Sequence, residues 1–78
     1  MAWTEADGAL TQEFTFDSFA DAFAFMTRVA FVAEELDHHP EWSNVYDRVS
    51  ILLTTHDEGN TVTELDRIMA QRIDAIAP

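Results

Sequence analysis

The chain has 78 residues, with 15 acidic and 4 basic side chains, a net charge of −11, 47% hydrophobic residues and no cysteine. It is too apolar for a disordered protein, and without thiols it has no disulfide scaffold, thiolate nucleophile or cysteine-ligated zinc. Its acidity opposes contact with phosphate backbones and anionic membranes, so neither nucleic acid nor membrane is an expected partner; the acidity itself serves solubility, in a saline cytoplasm for example, or a cationic partner.

The first element is a hairpin. Asp7-Gly8 is a turn signal between two extended stretches in "MAWTEADGALTQEFTF". In the second stretch Leu10, Gln12, Phe14 and Phe16 alternate with Thr11, Glu13 and Thr15, the period of a half-buried strand.

"DSFADAFAFMTRVAFVAEEL" predicts a long helix with Asp17 or Ser18 at its cap. One apolar stripe runs through Phe19, Ala22, Phe23, Met26, Val29, Ala30 and Ala33, and a second through Phe25, Val29, Val32 and Leu36. A helix apolar over so wide an arc needs two partners: its own sheet, and either a neighbouring subunit or an additional helix of the same chain, of which the sequence offers one. Pro40 closes the helical region, because the residue before a proline is pushed towards extended geometry.

"WSNVYDRVSILLTTH" reads as a second hairpin with Asp47-Arg48 near its turn. Val49, Ile51, Leu53 and Thr55 point one way, and Ser50, Leu52, Thr54 and His56 the other. After the loop "DEGN", "TVTELDRIMAQRIDAI" predicts the last helix, with Thr63 and Asp66 spaced as a capping box. Its stripe is Val62, Leu65, Ile68, Met69, Ile73 and Ile76. The expectation is an α+β fold, β-β-α-β-β-α, with a four-stranded antiparallel sheet and helices on one face. Residues 1–78 form one domain, close to the lower size limit for a self-sufficient core, so a homodimer or larger oligomer is expected. No basic segment followed by an apolar run opens the chain, and no window nears the roughly 20 apolar residues of a membrane span. The expected location is cytoplasmic.

Two of the three histidines, His38 and His39, stand side by side at the end of the long helix, and the third, His56, ends the last strand. Glu34 precedes His38 by four residues, so on a continuing helix the two would share a face and hydrogen-bond. Three readings compete: ordinary surface histidines, a zinc site, or proton transfer without metal. Adjacent histidines with no HxxxH spacing give zinc little support. Imidazole titrates near neutrality and can give or take a proton at cellular pH. No strong nucleophile accompanies the histidines. Trp42 and Tyr46 read as core aromatics, whereas Trp3 is less plainly structural.

The run Glu34, His38-His39-Pro40, Tyr46, His56 and Asp66, with "FAFMTRVAFVAEELDHHPEWSNVY", "TTHDEG" and "TELD" around it, resembles the signature of the pterin-4a-carbinolamine dehydratases across nearly the whole chain. The resemblance implies loss of water from 4a-hydroxytetrahydropterin to give quinonoid dihydropterin, which recycles the cofactor of aromatic amino-acid hydroxylases. By resemblance His38, His39 and His56 form the catalytic cluster, supported by Glu34. His38 and His56 transfer protons, and His39 holds the substrate's hydroxyl or ring. Trp3 and Asp37 fall beside the pterin. The pterin is the substrate, and no metal or cofactor is expected. The family also implies dimers that extend one sheet across subunits, and tetramers packed through helices. Its second role, as a binding or assembly module acting through a helical face, is the alternative; the stripe with Phe25 and Val32 would carry it. Two departures stand out. Family members usually carry a further helix before the tryptophan, where this sequence reads Met1-Ala2, and the loop after His56, with Asn60-Thr61-Val62, is one residue longer than the common form.

Overall fold

The computed structural model describes residues 2–78, with Met1 outside them. The strands are β1 (Thr4–Ala6), β2 (Ala9–Thr15), β3 (Glu41–Val45) and β4 (Arg48–Leu53). The helices are α1 (Phe19–Leu36) and α2 (Glu64–Ile76), and a single 3₁₀ turn spans His56–Glu58. The four strands form one antiparallel sheet in the order β1-β2-β4-β3. This is the α+β arrangement that the sequence predicts.

Local chemistry sets each boundary. Asp7 and Gly8 both take positive φ, 53° and 79°, which is the turn that matches the twist of a tight hairpin. The Ser18 side chain accepts from the Asp21 N–H and starts α1. At the far end Asp37 turns left-handed, and the His38 N–H returns to the Ala33 carbonyl at 3.1 Å. That bond closes the helix in the manner of a Schellman turn. In the second hairpin the left-handed residue is Tyr46, and the Asn44 amide donates to the carbonyls of Tyr46 and Arg48. The turn is therefore Tyr46-Asp47, one residue earlier than the sequence indicates.

The buried side of the sheet carries Leu10, Val49, Ile51 and Leu53, with Phe14, Phe16 and Trp42 packed at the margins. Against it lie Ala22, Phe25, Val29, Val32 and Ala33 of α1, and Met69, Ala70 and Ile73 of α2. Phe25 is fully buried and meets Phe14 and Phe16 at centroid separations of 4.9 and 5.0 Å. Burying one such ring stabilises the fold by roughly 1.5–3 kcal/mol.

Two expectations about apolar residues need correction. The stripe with Phe25 and Val32 is the chain's own core and offers no free surface. The uncovered face of α1 instead carries Phe19, Phe23 and Phe31, the last 72% exposed. Tyr46 is 65% exposed because its left-handed turn position carries it off the sheet, so it is not a core residue. Among the described residues no helix is long and apolar enough to cross a membrane.

Candidate active site

The C-terminal end of α1, the end of β4 and the start of α2 meet at one carboxylate. Asp66 is fully buried. Its Oδ1 binds His38 Nε2 at 2.5 Å, and its Oδ2 accepts from the Thr55 hydroxyl at 2.7 Å and the Thr63 N–H at 2.9 Å. Thr55 Oγ1 also lies 2.7 Å from Thr63 Oγ1. The capping box that the sequence announces thus has a second use: the residue that caps α2 also holds the His38 ring.

Burial is the largest influence on the Asp66 carboxyl and pushes its pKa up. The Thr63 N–H, the His38 ring, the Thr55 hydroxyl and the charge on protonated His38 together outweigh it. The net result lies below the ordinary value of 3.8, so Asp66 is anionic at neutral pH. An anion cannot donate, so Nε2 of His38 carries a proton towards it, and in the neutral ring Nδ1 is left bare.

His39 pairs with Glu34, Nε2 to Oε2 at 2.7 Å, and both side chains are exposed. The sequence expected Glu34 to support His38. The left-handed Asp37 ends the helix before His38, so the i,i+4 relation never forms, and Glu34 reaches the next histidine instead. His56 lies one residue beyond Thr55, and its Nδ1 is 2.8 Å from Asn60 Oδ1. Each of the three rings therefore has one nitrogen tied to an oxygen acceptor. Asp66 links the exit of α1 to the residue before His56.

Asp37 is exposed in the turn before His38. Trp3 is engaged elsewhere: its indole N–H donates to Asp74 Oδ1 at 3.0 Å, beside Gln12 Nε2 at 3.3 Å, and its ring meets Phe14 edge-on. Asp74 stands eight residues beyond Asp66, about 12 Å along α2. No hydrogen bond or ring contact among the described residues joins Trp3 to the histidines. Hollows of about 510 and 390 Å³ also lie elsewhere, over the helix-free face of the sheet and beside Phe16 and Arg28. Among the described residues no three His, Cys, Asp or Glu side chains are grouped to hold a metal ion.

Sequence reasoning places Asp66 in the motif and in a capping box but gives it no part in the site, and it reads Thr55 only as a residue of the last strand, which in fact ends at Leu53. Nothing local marks Thr55, because its partner is 11 residues away across a loop.

In this small α+β domain the three imidazoles are thus each held by a carboxylate or amide oxygen. The sequence profile of the pterin 4 alpha carbinolamine dehydratases matches residues 1–76, and the chain belongs to that family. A provisionally named pterin-4-alpha-carbinolamine dehydratase of Bradyrhizobium sp. (strain BTAi1) is 57% identical over 77 residues, covering 96% of this chain and 77% of that protein. The crystal structure of a transcriptional coactivator/pterin dehydratase from Brucella melitensis superposes with a TM-score of 0.93 at 51% identity, covering 99% of this chain and 83% of that one. A pterin dehydratase-like protein identified as a RuBisCO assembly factor in the alpha-carboxysome is also similar, with a TM-score of 0.79 at 29% identity. That match covers 96% of this chain and 88% of the other.

Proposed function

We propose that this protein dehydrates 4a-hydroxytetrahydropterin to quinonoid dihydropterin. The observation that carries the reading is the buried Asp66 carboxylate, which holds the His38 ring and, through Thr55, the entry to the 3₁₀ turn that begins at His56. In the reaction the C4a–O bond breaks and its electron pair leaves with the hydroxyl, which takes a proton to depart as water. The N5–H bond gives its pair to a new N5=C4a bond and its proton to a base. One proton enters the substrate and one leaves, so histidines suffice.

His38 and His56 are the proton-transfer groups. His39, oriented by Glu34, holds the hydroxyl or the ring, and Asp37 contributes to binding the pterin. Trp3 is proposed as the outer wall of the pterin site, a role separate from its tie to Asp74. The protein works as a homodimer or homotetramer. The direct test is the dehydration rate of purified protein beside His38→Ala and His56→Ala; unchanged rates in both variants would refute the assignment.

The second reading is a protein-binding or assembly module. The exposed Phe19, Phe23 and Phe31 on α1 favour it, as does the similarity to an assembly factor. Purified protein with no dehydration activity, together with a partner lost on changing Phe31, would select this reading.

A further inference from the structure

The loop that departs from the family pattern also holds a catalytic histidine, and this inference rests on the dehydratase reading above. The side-chain amide oxygen of Asn60, Oδ1, lies 2.8 Å from Nδ1 of His56. A carbonyl oxygen only accepts, so the ring nitrogen facing it must carry the proton. We infer that Asn60 is a positioning residue that fixes His56 as the Nδ1–H tautomer and leaves Nε2 as the bare nitrogen that takes the N5 proton.

The placement of Asn60 is over-determined. Its backbone has φ 60°, in the left-handed region that asparagine tolerates better than most residues. Its N–H donates to the Thr55 carbonyl at 3.1 Å, and the Thr55 N–H donates to the Thr61 carbonyl at 3.0 Å. The Thr61 hydroxyl reaches back to the Glu58 carbonyl at 3.1 Å. Residues 55–61 are thereby closed into a ring. The first hairpin backs that ring from outside: a Cβ on Gly8 would sit 2.1 Å from the Asn60 backbone carbonyl oxygen, and Thr54 Oγ1 donates to the Gly8 carbonyl at 2.7 Å. The His56 side chain is exposed, and its ring has no other hydrogen-bond partner among the described residues. Asn60 therefore decides which of its nitrogens is bare.

The assignment complements His38. There Nε2 is tied to Asp66 and Nδ1 is free; in His56 Nδ1 is tied and Nε2 is free. The two rings present opposite nitrogens towards the substrate. The N5 proton passes to Nε2 of His56 and the N5 electron pair closes N5=C4a, while His38, in its imidazolium form with Nε2–H held by Asp66, gives its Nδ1 proton to the departing hydroxyl; solvent returns a proton to His38 and takes one from His56.

The test uses two variants that both keep a left-handed backbone. Asn60→Gly removes the acceptor, and Asn60→Asp keeps an oxygen in its place. In protein labelled with ¹⁵N in its histidine rings, long-range proton–nitrogen correlation identifies the protonated nitrogen of His56. Wild type and Asn60→Asp should show the Nδ1–H form, and Asn60→Gly a mixture of tautomers. Asn60→Gly should lower kcat about 10- to 100-fold, the range seen when an orienting partner of a histidine is lost, with KM little changed and partial recovery in Asn60→Asp. An Nε2–H tautomer in the wild type, or a tautomer indifferent to Asn60→Gly, overturns the inference. Wild type that performs no dehydration while the tautomer shift occurs overturns the functional reading and leaves the role of Asn60 in orienting His56 standing.

Discussion

Asp66→Asn preserves the shape of the buried side chain and changes only its charge and one acceptor. If the amide oxygen takes the place of Oδ2, it keeps the Thr63 N–H and the Thr55 hydroxyl, now 2.9 and 2.7 Å away. The amide nitrogen then faces His38 Nε2 where a carboxylate oxygen stood at 2.5 Å. Two donors cannot bond, so His38 must turn to its Nδ1–H tautomer and lose its free nitrogen on that side. Hydrogen bonds to a charged group contribute about 1.5–3 kcal/mol against about 1 kcal/mol for neutral ones. Three such bonds weaken, while the cost of keeping a charge buried disappears. A net loss of about 2 kcal/mol follows, or roughly 8–16 °C in Tm for a domain of this size.

The acid limb gives an independent check. The folded-state pKa of Asp66 lies below its ordinary value of 3.8. Its contribution to stability is thus complete above that value and is lost as pH falls through the lower, folded-state pKa. The stability gap between wild type and Asp66→Asn should be full at neutral pH and should narrow below about pH 4, near the unfolded-state pKa. Urea unfolding from pH 7 to pH 2 reads the gap, and stopped-flow dehydration reads the activity, which should fall about 100- to 10,000-fold. A gap that stays constant down to pH 2, or a variant as active as wild type, would refute the role given to Asp66.

Gly8→Ala must place a Cβ 2.1 Å from the Asn60 carbonyl in a left-handed turn; it should lower stability by about 1–3 kcal/mol in thermal unfolding and displace the His56 loop, seen as shifted His56 ring resonances. Trp3→Phe keeps an aromatic face and removes the indole N–H bonded to Asp74; stability should fall by about 1 kcal/mol, and a raised KM with kcat unchanged would identify Trp3 as a wall of the pterin site. Phe23→Glu with Phe31→Glu charges the uncovered face of α1. If that face joins subunits, light scattering should show a smaller assembly with the fold intact, and an unaltered mass would exclude this face as the interface.

Much of the fold is legible because its signals are local. Asp7-Gly8, Ser18 and the Thr63–Asp66 spacing each act within a few residues, and strand alternation along Leu10–Phe16 and Val49–Leu53 reports the buried face directly. The α1 stripes were harder to rank. Phe19, Phe23, Phe25 and Phe31 are alike in hydrophobicity, and only the position of the sheet decides that Phe25 is enclosed. At the candidate site the sequence marks the histidines but not the side chains they pair with. Glu34 and His38 have helical spacing, but one left-handed residue, Asp37, cancels it. The actual partner of His38 is 28 residues away and reaches it only through tertiary packing. The Asn60–His56 contact spans four residues, yet it depends on a left-handed backbone that the sequence alone does not announce.

Removal of water from a pterin carbinolamine through His38 and His56 is tested most directly by the dehydration rate of His38→Ala with His56→Ala. Active wild type and a folded double variant slower by at least about 100-fold is the predicted result. A double variant as fast as the wild-type protein, or a wild type no faster than buffer, would contradict it.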